Sequence, residues 1–139
     1  MVARGLRNNN PLNIRKGNNW QGERHPQTDP AFEEFASLEM GLRAGFIIIF
    51  NYLKKRPPID TVSAIISRWA PPSENNTQSY INTVCKFASL EPNRKLKRTD
   101  KAGLCRLIWG MCYVECGQSI SFGRIENAYA LAIHKELFT

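Results

Sequence analysis

The sequence predicts a mainly α protein of the α+β class, with a small β-hairpin near its N-terminus. Three observations predict this. Between Ser37 and Leu137, apolar residues recur three and four positions apart, the period of a helix face turned toward a core. Proline pairs and capping residues punctuate that stretch where such faces begin and end. Ahead of Ser37 the composition shifts to Asn, Gly and Pro, which build turns through their own side-chain hydrogen bonds or unusual φ angles. At 139 residues the chain is expected to form a single domain over 1–139, large enough to bury a core.

Residues 4–35 carry turn chemistry, with Trp20-Gln21-Gly22 and Phe32-Glu33-Glu34-Phe35 as candidate hairpin strands. Leu12, Ile14 and Trp20 are apolar anchors in this polar background, so the segment reads as a pinned binding loop and not as a linker. Ser37 starts the first long helix, whose apolar face is Leu42, Phe46, Ile49, Phe50 and Leu53, and Pro57-Pro58 ends it. Asp60 or Thr61 caps the next, with Val62, Ile65, Ile66 and Trp69 inward and Pro71-Pro72 as the stop. Asn76 or Thr77 caps a third, carrying Tyr80, Ile81, Val84 and Phe87. Residues 91–99 form a basic loop. Asp100 then opens a helix through Leu104, Leu107, Ile108, Met111 and Val114 that ends near Gly117, and a last helix runs from Phe122 or Arg124 to Leu137.

Hydrophobic residues make up 42% of the chain and the mean hydropathy is −0.38, as in an ordinary globular protein. Lys and Arg number 19 against 12 acids, a net charge of +7. That excess suits anionic surroundings such as nucleic acid, anionic lipid or an acidic wall polymer. The basic loop is short, and no zinc-finger spacing, helix-turn-helix pattern or aromatic RNA-binding motif accompanies it, so no specific nucleic-acid recognition is expected. Phe46 to Phe50, the longest apolar run, is too short to span a bilayer. No secretory leader is visible at Met1-Val2-Ala3-Arg4, which predicts synthesis in the cytoplasm. His25 and His134 are the only histidines and no Cys-x-x-Cys occurs, so neither a metal site nor a cofactor is expected, and the four cysteines read as free thiols.

Among the acids, Glu115 stands out at the C-terminal end of an otherwise apolar helix. The negative end of the helix dipole and partial burial both raise a carboxyl pKa there, as a general acid for a glycosidic bond requires. A surface glutamate near a helix end is the plainer alternative. Glu23 and Asp29 flank the expected hairpin, and glycosidases commonly use a carboxylate pair. Trp20, Trp69, Tyr80 and Tyr113 could stack on sugar rings; Trp69 lies on an apolar helix face, which makes Trp20 the better ligand-facing candidate. Glu74-Asn75-Asn76-Thr77 is first a helix N-terminus, and its coupling to Pro71-Pro72 also suits a cleft wall.

These residues carry a resemblance. Asn9-Asn10-Pro11-Leu12-Asn13-Ile14-Arg15 followed by Trp20-Gln21-Gly22 resembles the Asn-Leu-Phe-Gly-Ile-Lys … Trp-x-Gly segment of flagellar-type and autolysin β-N-acetylglucosaminidases. Phe32-Glu33-Glu34-Phe35-Ala36-Ser37 is similar to their Phe-x-x-Tyr-x-Ser, and Trp69-Ala70-Pro71 through Tyr80-Ile81 to their Tyr-Ala-Thr-Asp-Pro-x-Tyr. Over about residues 4–117 the chain more closely resembles phage and prophage proteins with an Arg-Gly-Ile-Arg-Asn-Asn-Asn-Pro-Gly-Asn-Ile block and a Trp-Ala-Pro-Pro-x-Glu-Asn-x-Thr block, labelled virion proteins or endolysins.

The resemblance implies a lysozyme-like helical domain acting on peptidoglycan glycan strands, by hydrolysis or by lytic transglycosylation. In those glucosaminidases the catalytic Glu lies in a Glu-Ser-Gly context on a helix before the Asn-rich segment. Here only three residues precede Arg4, and the comparable Glu-x-Gly is Glu115-Cys116-Gly117 near the other end. A circularly permuted arrangement reconciles the two orders. On this reading Glu115 is the acid, Glu23 or Asp29 orients water or steadies the cation, and Asn10, Asn13, Trp20, Trp69, Glu74, Asn76 and Tyr80 line the cleft. Expected partners are glycan strands, a phage particle or secretion machinery and an immunity protein, with action at the cell wall or periplasm, or carriage in a virion. The alternative is a non-catalytic virion or secretion-associated protein that keeps the fold.

Overall fold

The computed structural model describes residues 2–138, and within them the chain is mainly helical. Six helices follow one another: α1 (Arg4–Arg7), α2 (Leu38–Leu53), α3 (Val62–Trp69), α4 (Thr77–Ala88), α5 (Lys101–Cys116) and α6 (Phe122–Phe138). The starts of α2 to α5 follow from side-chain capping. Ser37, Thr61, Asn76 and Asp100 each accept the backbone N–H three residues on, from Met40, Ala64, Ser79 and Gly103. Each bond satisfies one of the donors a helix start leaves free. The short α1, where only turn chemistry was expected, is the one helix that the apolar period does not announce.

One apolar cluster joins these helices to the N-terminal segment through Leu12, Ile14 and Phe35. α2 and α6 form its most extensive helix pair. They run parallel, since Arg124 clasps Glu39 at their N-terminal ends (2.7 and 2.9 Å) and Lys54 meets Glu136 at their C-terminal ends (3.1 Å). α4 and α5 run antiparallel: Tyr80 at the start of α4 reaches Glu115 at the end of α5, and Arg106 reaches the carbonyls of Ala88 and Ser89. Cys105 and Cys112 are buried and Cys85 and Cys116 half-buried, all as free thiols.

The expected β-hairpin is not formed. Among the described residues, pairing before α2 is limited to single antiparallel bridges, Arg15 with Phe32 and Glu23 with Phe35. The reason lies in the composition of 4–36. Asn9 and Asn13 adopt left-handed φ angles of 53° and 54°, and Gly22 one of 84°, which break the extended backbone a ladder needs. Side chains take over the ladder's work. Glu34 accepts from both the N–H and the hydroxyl of Thr28 and from the N–H of Asp29, while Gln27 bonds the backbone of Arg24 and Glu34.

This stapled segment sits on α2 at two glycines one helical turn apart. A Cβ on Gly41 would overlap the Asn9 carbonyl oxygen, and one on Gly45 would overlap the Leu12 side chain. The bare helix surface is what admits the Asn-rich loop. Leu12, 1% exposed, fills the resulting notch, a burial worth about 2 kcal/mol.

Candidate functional site: a cleft around Glu115

Asn8, Asn9, Asn10 and Asn13 of the N-terminal loop have distinct tasks. Asn8 donates to Asp29, and Asn9 to the carbonyl of Phe35. Asn10 is fully buried: its amide donates to the carbonyls of Ile14 and Glu33 and its oxygen accepts from the Ile14 N–H. Only Asn13 turns outward to the last turn of α5, where its Nδ2 donates to Glu115 Oε1 at 3.0 Å. Asn tolerates the left-handed backbone that this turn demands, and its amide is short enough to donate from it.

Glu115 takes a second donor on its other oxygen, from the Tyr80 hydroxyl at 2.9 Å. Burial, reinforced by the neighbouring Glu115 carboxylate, pushes Tyr80 well above the ordinary phenol range, so it stays protonated and donates. Beside it the Cys116 thiol, pushed up to about 11 by burial and then by Glu115, is neutral and donates to the Pro11 carbonyl. Glu115 is therefore a half-buried carboxylate held on both oxygens by neutral donors from two other parts of the chain.

The Glu115 carboxylate opens into a cavity of about 330 Å³ walled by Asn13, Arg15, Phe32, Trp69, Glu74 and Asn75. A neighbouring cavity of about 300 Å³ shares Asn13, Arg15, Trp69 and Glu74 with it and extends to Asn18 and Tyr52. On the other side, a third of about 430 Å³ shares Asn75 and continues past Asn76, Ser79, Tyr80 and Tyr113. The groove thus passes from the N-terminal loop across the end of α5 to the start of α4. Trp69 is the last residue of α3, so part of its ring reaches the groove while the rest packs on the core. Tyr113, at the far end, stacks face to face on Phe87 at 4.4 Å.

The expected site residues therefore divide. Glu115, Asn13, Trp69, Glu74, Asn76 and Tyr80 line this connected groove; Asn76 also caps α4. Asn10 serves the loop from inside. Trp20, expected to face ligand, packs against the core, and its indole nitrogen is buried without a partner. Asp29 lies apart from the groove lining, clasped by Arg4 through two bonds (2.6 and 2.5 Å), by Asn8 and by the N–H groups of Ala31 and Phe32. These bonds, the Arg4 pair foremost, hold its carboxyl well below the usual carboxylate range. Glu23 meets Glu33, which is 2% exposed. Burial first, then the hydrogen bond and charge of Glu23, push the Glu33 carboxyl up to about 7.

Arg15 and Phe32 are groove residues that the sequence reading passed over. Arg15 stacks on the Phe32 ring at 5.0 Å, with Arg4 on the same ring at 4.6 Å. No local period marked Arg15 or Phe32, because Asn13 leaves the extended region at a φ of 54° and the segment has no strand alternation to read.

No family model matches the chain. It is similar to Protein P5 of Pseudoalteromonas phage PM2, at 46% identity over 99 residues, 68% of this chain and 61% of that protein. The chain thus has a phage protein as a relative, and spans less than two thirds of that relative's length. No helix among the described residues is long and apolar enough to cross a membrane.

Proposed function

We propose that residues 1–139 form a lysozyme-like domain that cleaves peptidoglycan glycan strands, with Glu115 as the general acid. The observation that carries this reading is a carboxylate at the midpoint of a connected groove, held on one oxygen by Asn13 and on the other by Tyr80. In this role the Glu115 carboxyl delivers a proton to the glycosidic oxygen as the C–O bond breaks, and the leaving sugar departs as an alcohol. Glu74, which lines the same cavity, steadies the positive charge that develops on the remaining ring. Water, or a hydroxyl of the sugar itself, then adds to that carbon and returns a proton to Glu115. Trp69 and Tyr113 supply ring faces on either side of the cut.

A permuted order of elements fits this assignment, because the Asn-rich loop meets its acid on a helix that follows it in sequence. The net charge of +7 favours approach to an anionic wall. Similarity to a phage protein supports carriage in a virion or release during lysis as the route to the wall. It equally favours a second reading, a virion protein that keeps the fold and binds glycan without cutting it.

Turbidity loss of purified cell walls separates the two. Glu115→Gln is expected to lower the rate by roughly 10²-fold or more, the range for loss of a general acid. Undiminished lysis by the variant refutes the assignment of Glu115. Absence of lysis by the unaltered protein supports the binding-only reading.

A further inference from the structure

The C-terminal end of α2 and the segment before α5 frame a second concave site. Two short basic runs, Lys54-Lys55-Arg56 after α2 and Lys95 to Arg98 before α5, are 39 residues or more apart in sequence and too short singly to define a binding surface. The fold joins them. Thr61 bridges Lys95, the Leu96 N–H donates to the Asp60 carbonyl (2.8 Å), and the Val62 and Ser63 N–H groups donate to Arg94 and Pro92. Leu96 is buried beneath, and Tyr129 of α6 donates to the Arg98 carbonyl at 2.7 Å.

A groove of about 320 Å³ results, with Lys54, Arg56, Lys97 and Arg98 in its lining and Lys55 and Lys95 flanking it. The acids in that lining are Asp60 and Glu136. Glu136 is held by Lys54 (3.1 Å) and Arg98 (3.9 Å), while Lys55, Arg56, Lys95 and Lys97 have no acid partner among the described residues. Six cations against two acids put more than half of the chain's net charge of +7 at this one end. Held on pinned backbone, these cations lose little loop entropy when they meet an anion.

We infer that this groove docks the phosphate backbone of double-stranded DNA without regard to sequence. The alternatives fit it less well. In the groove's lining Phe50 and Leu96 are buried and Leu53 is half-buried, so its accessible side chains are mainly cations. Phe50, the aromatic ring in that lining, is fully buried and cannot stack on unpaired bases, which leaves backbone charge as the recognised feature. Glu115 stands at the end of α5, about 24 Å along its 16 residues from the helix start that Lys97 and Arg98 precede. The inference is independent of the proposed glycan chemistry.

The test is fluorescence anisotropy with two unrelated labelled duplexes of about 24 base pairs across a salt series, where a logarithmic slope of about −3 to −4 is expected for both. Arg56→Glu combined with Lys97→Glu is expected to weaken binding at least ~10-fold and flatten the slope by about 2. Arg56→Lys with Lys97→Arg retains affinity, and Glu115→Gln binds as the unaltered protein does. Circular dichroism verifies that the charge-reversed variant is folded. Equal binding by the folded charge-reversed variant overturns the proposal, as does capture of phosphatidylglycerol vesicles with no affinity for duplex.

Discussion

The Asn13 amide donates to the Glu115 carboxylate at 3.0 Å, across 102 positions of sequence. That bond ties the Asn-rich loop to the helix that bears the acid, and everything else in the groove is arranged around it. Asn13→Ala should leave the core intact, since the side chain is only half-buried, but free one carboxylate oxygen. A fall in lytic rate of about 10-fold to 100-fold, with a stability loss near 1 kcal/mol by urea titration, is the expected outcome.

Tyr80→Phe removes the other donor to Glu115 and keeps the ring that packs against the core. Its effect should fall on turnover more than on substrate affinity, because the hydroxyl touches the acid. Because Tyr80 titrates well above the ordinary phenol range, the unaltered protein should show no loss of activity near pH 10 traceable to this group. Pelleting of the variant with cell walls, compared with its lysis rate, separates binding from cutting.

Gly41→Ala sets two effects against each other. Helix propensity favours alanine by up to about 1 kcal/mol. The added methyl, however, overlaps a backbone carbonyl, that of Asn9, which cannot rotate away as a side chain could. Overpacking of this kind costs typically 1–3 kcal/mol, so net destabilisation should be read by thermal melting. A variant more stable than the parent would mean that the loop does not sit on α2 as described.

Glu33 gives a signed pH dependence. Its carboxyl is raised from 4.5 to about 7 by burial and by Glu23, so the folded state holds a proton that the unfolded chain has released. Stability from this group is complete below pH 4.5, declines as pH rises to about 7, and is flat beyond. Glu33→Gln should remove that decline and exceed the parent at pH 8 by on the order of 1–3 kcal/mol. Denaturant titrations at pH 5 and pH 8 read the difference.

Asp29 has the opposite sign. Its carboxyl is depressed, chiefly by Arg4, so its contribution is present above the ordinary carboxylate range and persists until pH falls far below it. Asp29→Asn should lower the melting temperature at neutral pH while the folded variant keeps most of its lytic rate. A rate loss as deep as that of Glu115→Gln, with an unchanged melting temperature, would instead place Asp29 in the chemistry.

The long helices were legible because burial on one face imposes a period that single residues reveal. Their starts were legible because Ser37, Thr61, Asn76 and Asp100 meet a local need for an acceptor. The place of Glu115 in the last turn of α5 was legible from the apolar period before it and the Gly117 cap after it. The irregular segment was harder to read. Glu23, Asp29 and Glu34 are similar acids in a stretch without period, and nothing local says which one faces the groove and which one staples the loop. Trp20 and Trp69 both pack against the core, and only Trp69 also lines the groove, because exposure depends on the neighbour that covers a ring, not on the ring.

By itself the sequence determined the five long helices, their capped starts and the excess of positive charge, properties of composition and of residues within a few positions of one another. Only the tertiary structure decided that Asn13 and Tyr80 share one carboxylate, that Gly41 and Gly45 seat the loop, and that two short basic runs make one groove. The physical reason is range. Helix period and capping act within a turn, whereas these contacts join segments tens of residues apart and exist only once burial of the common core has brought them together.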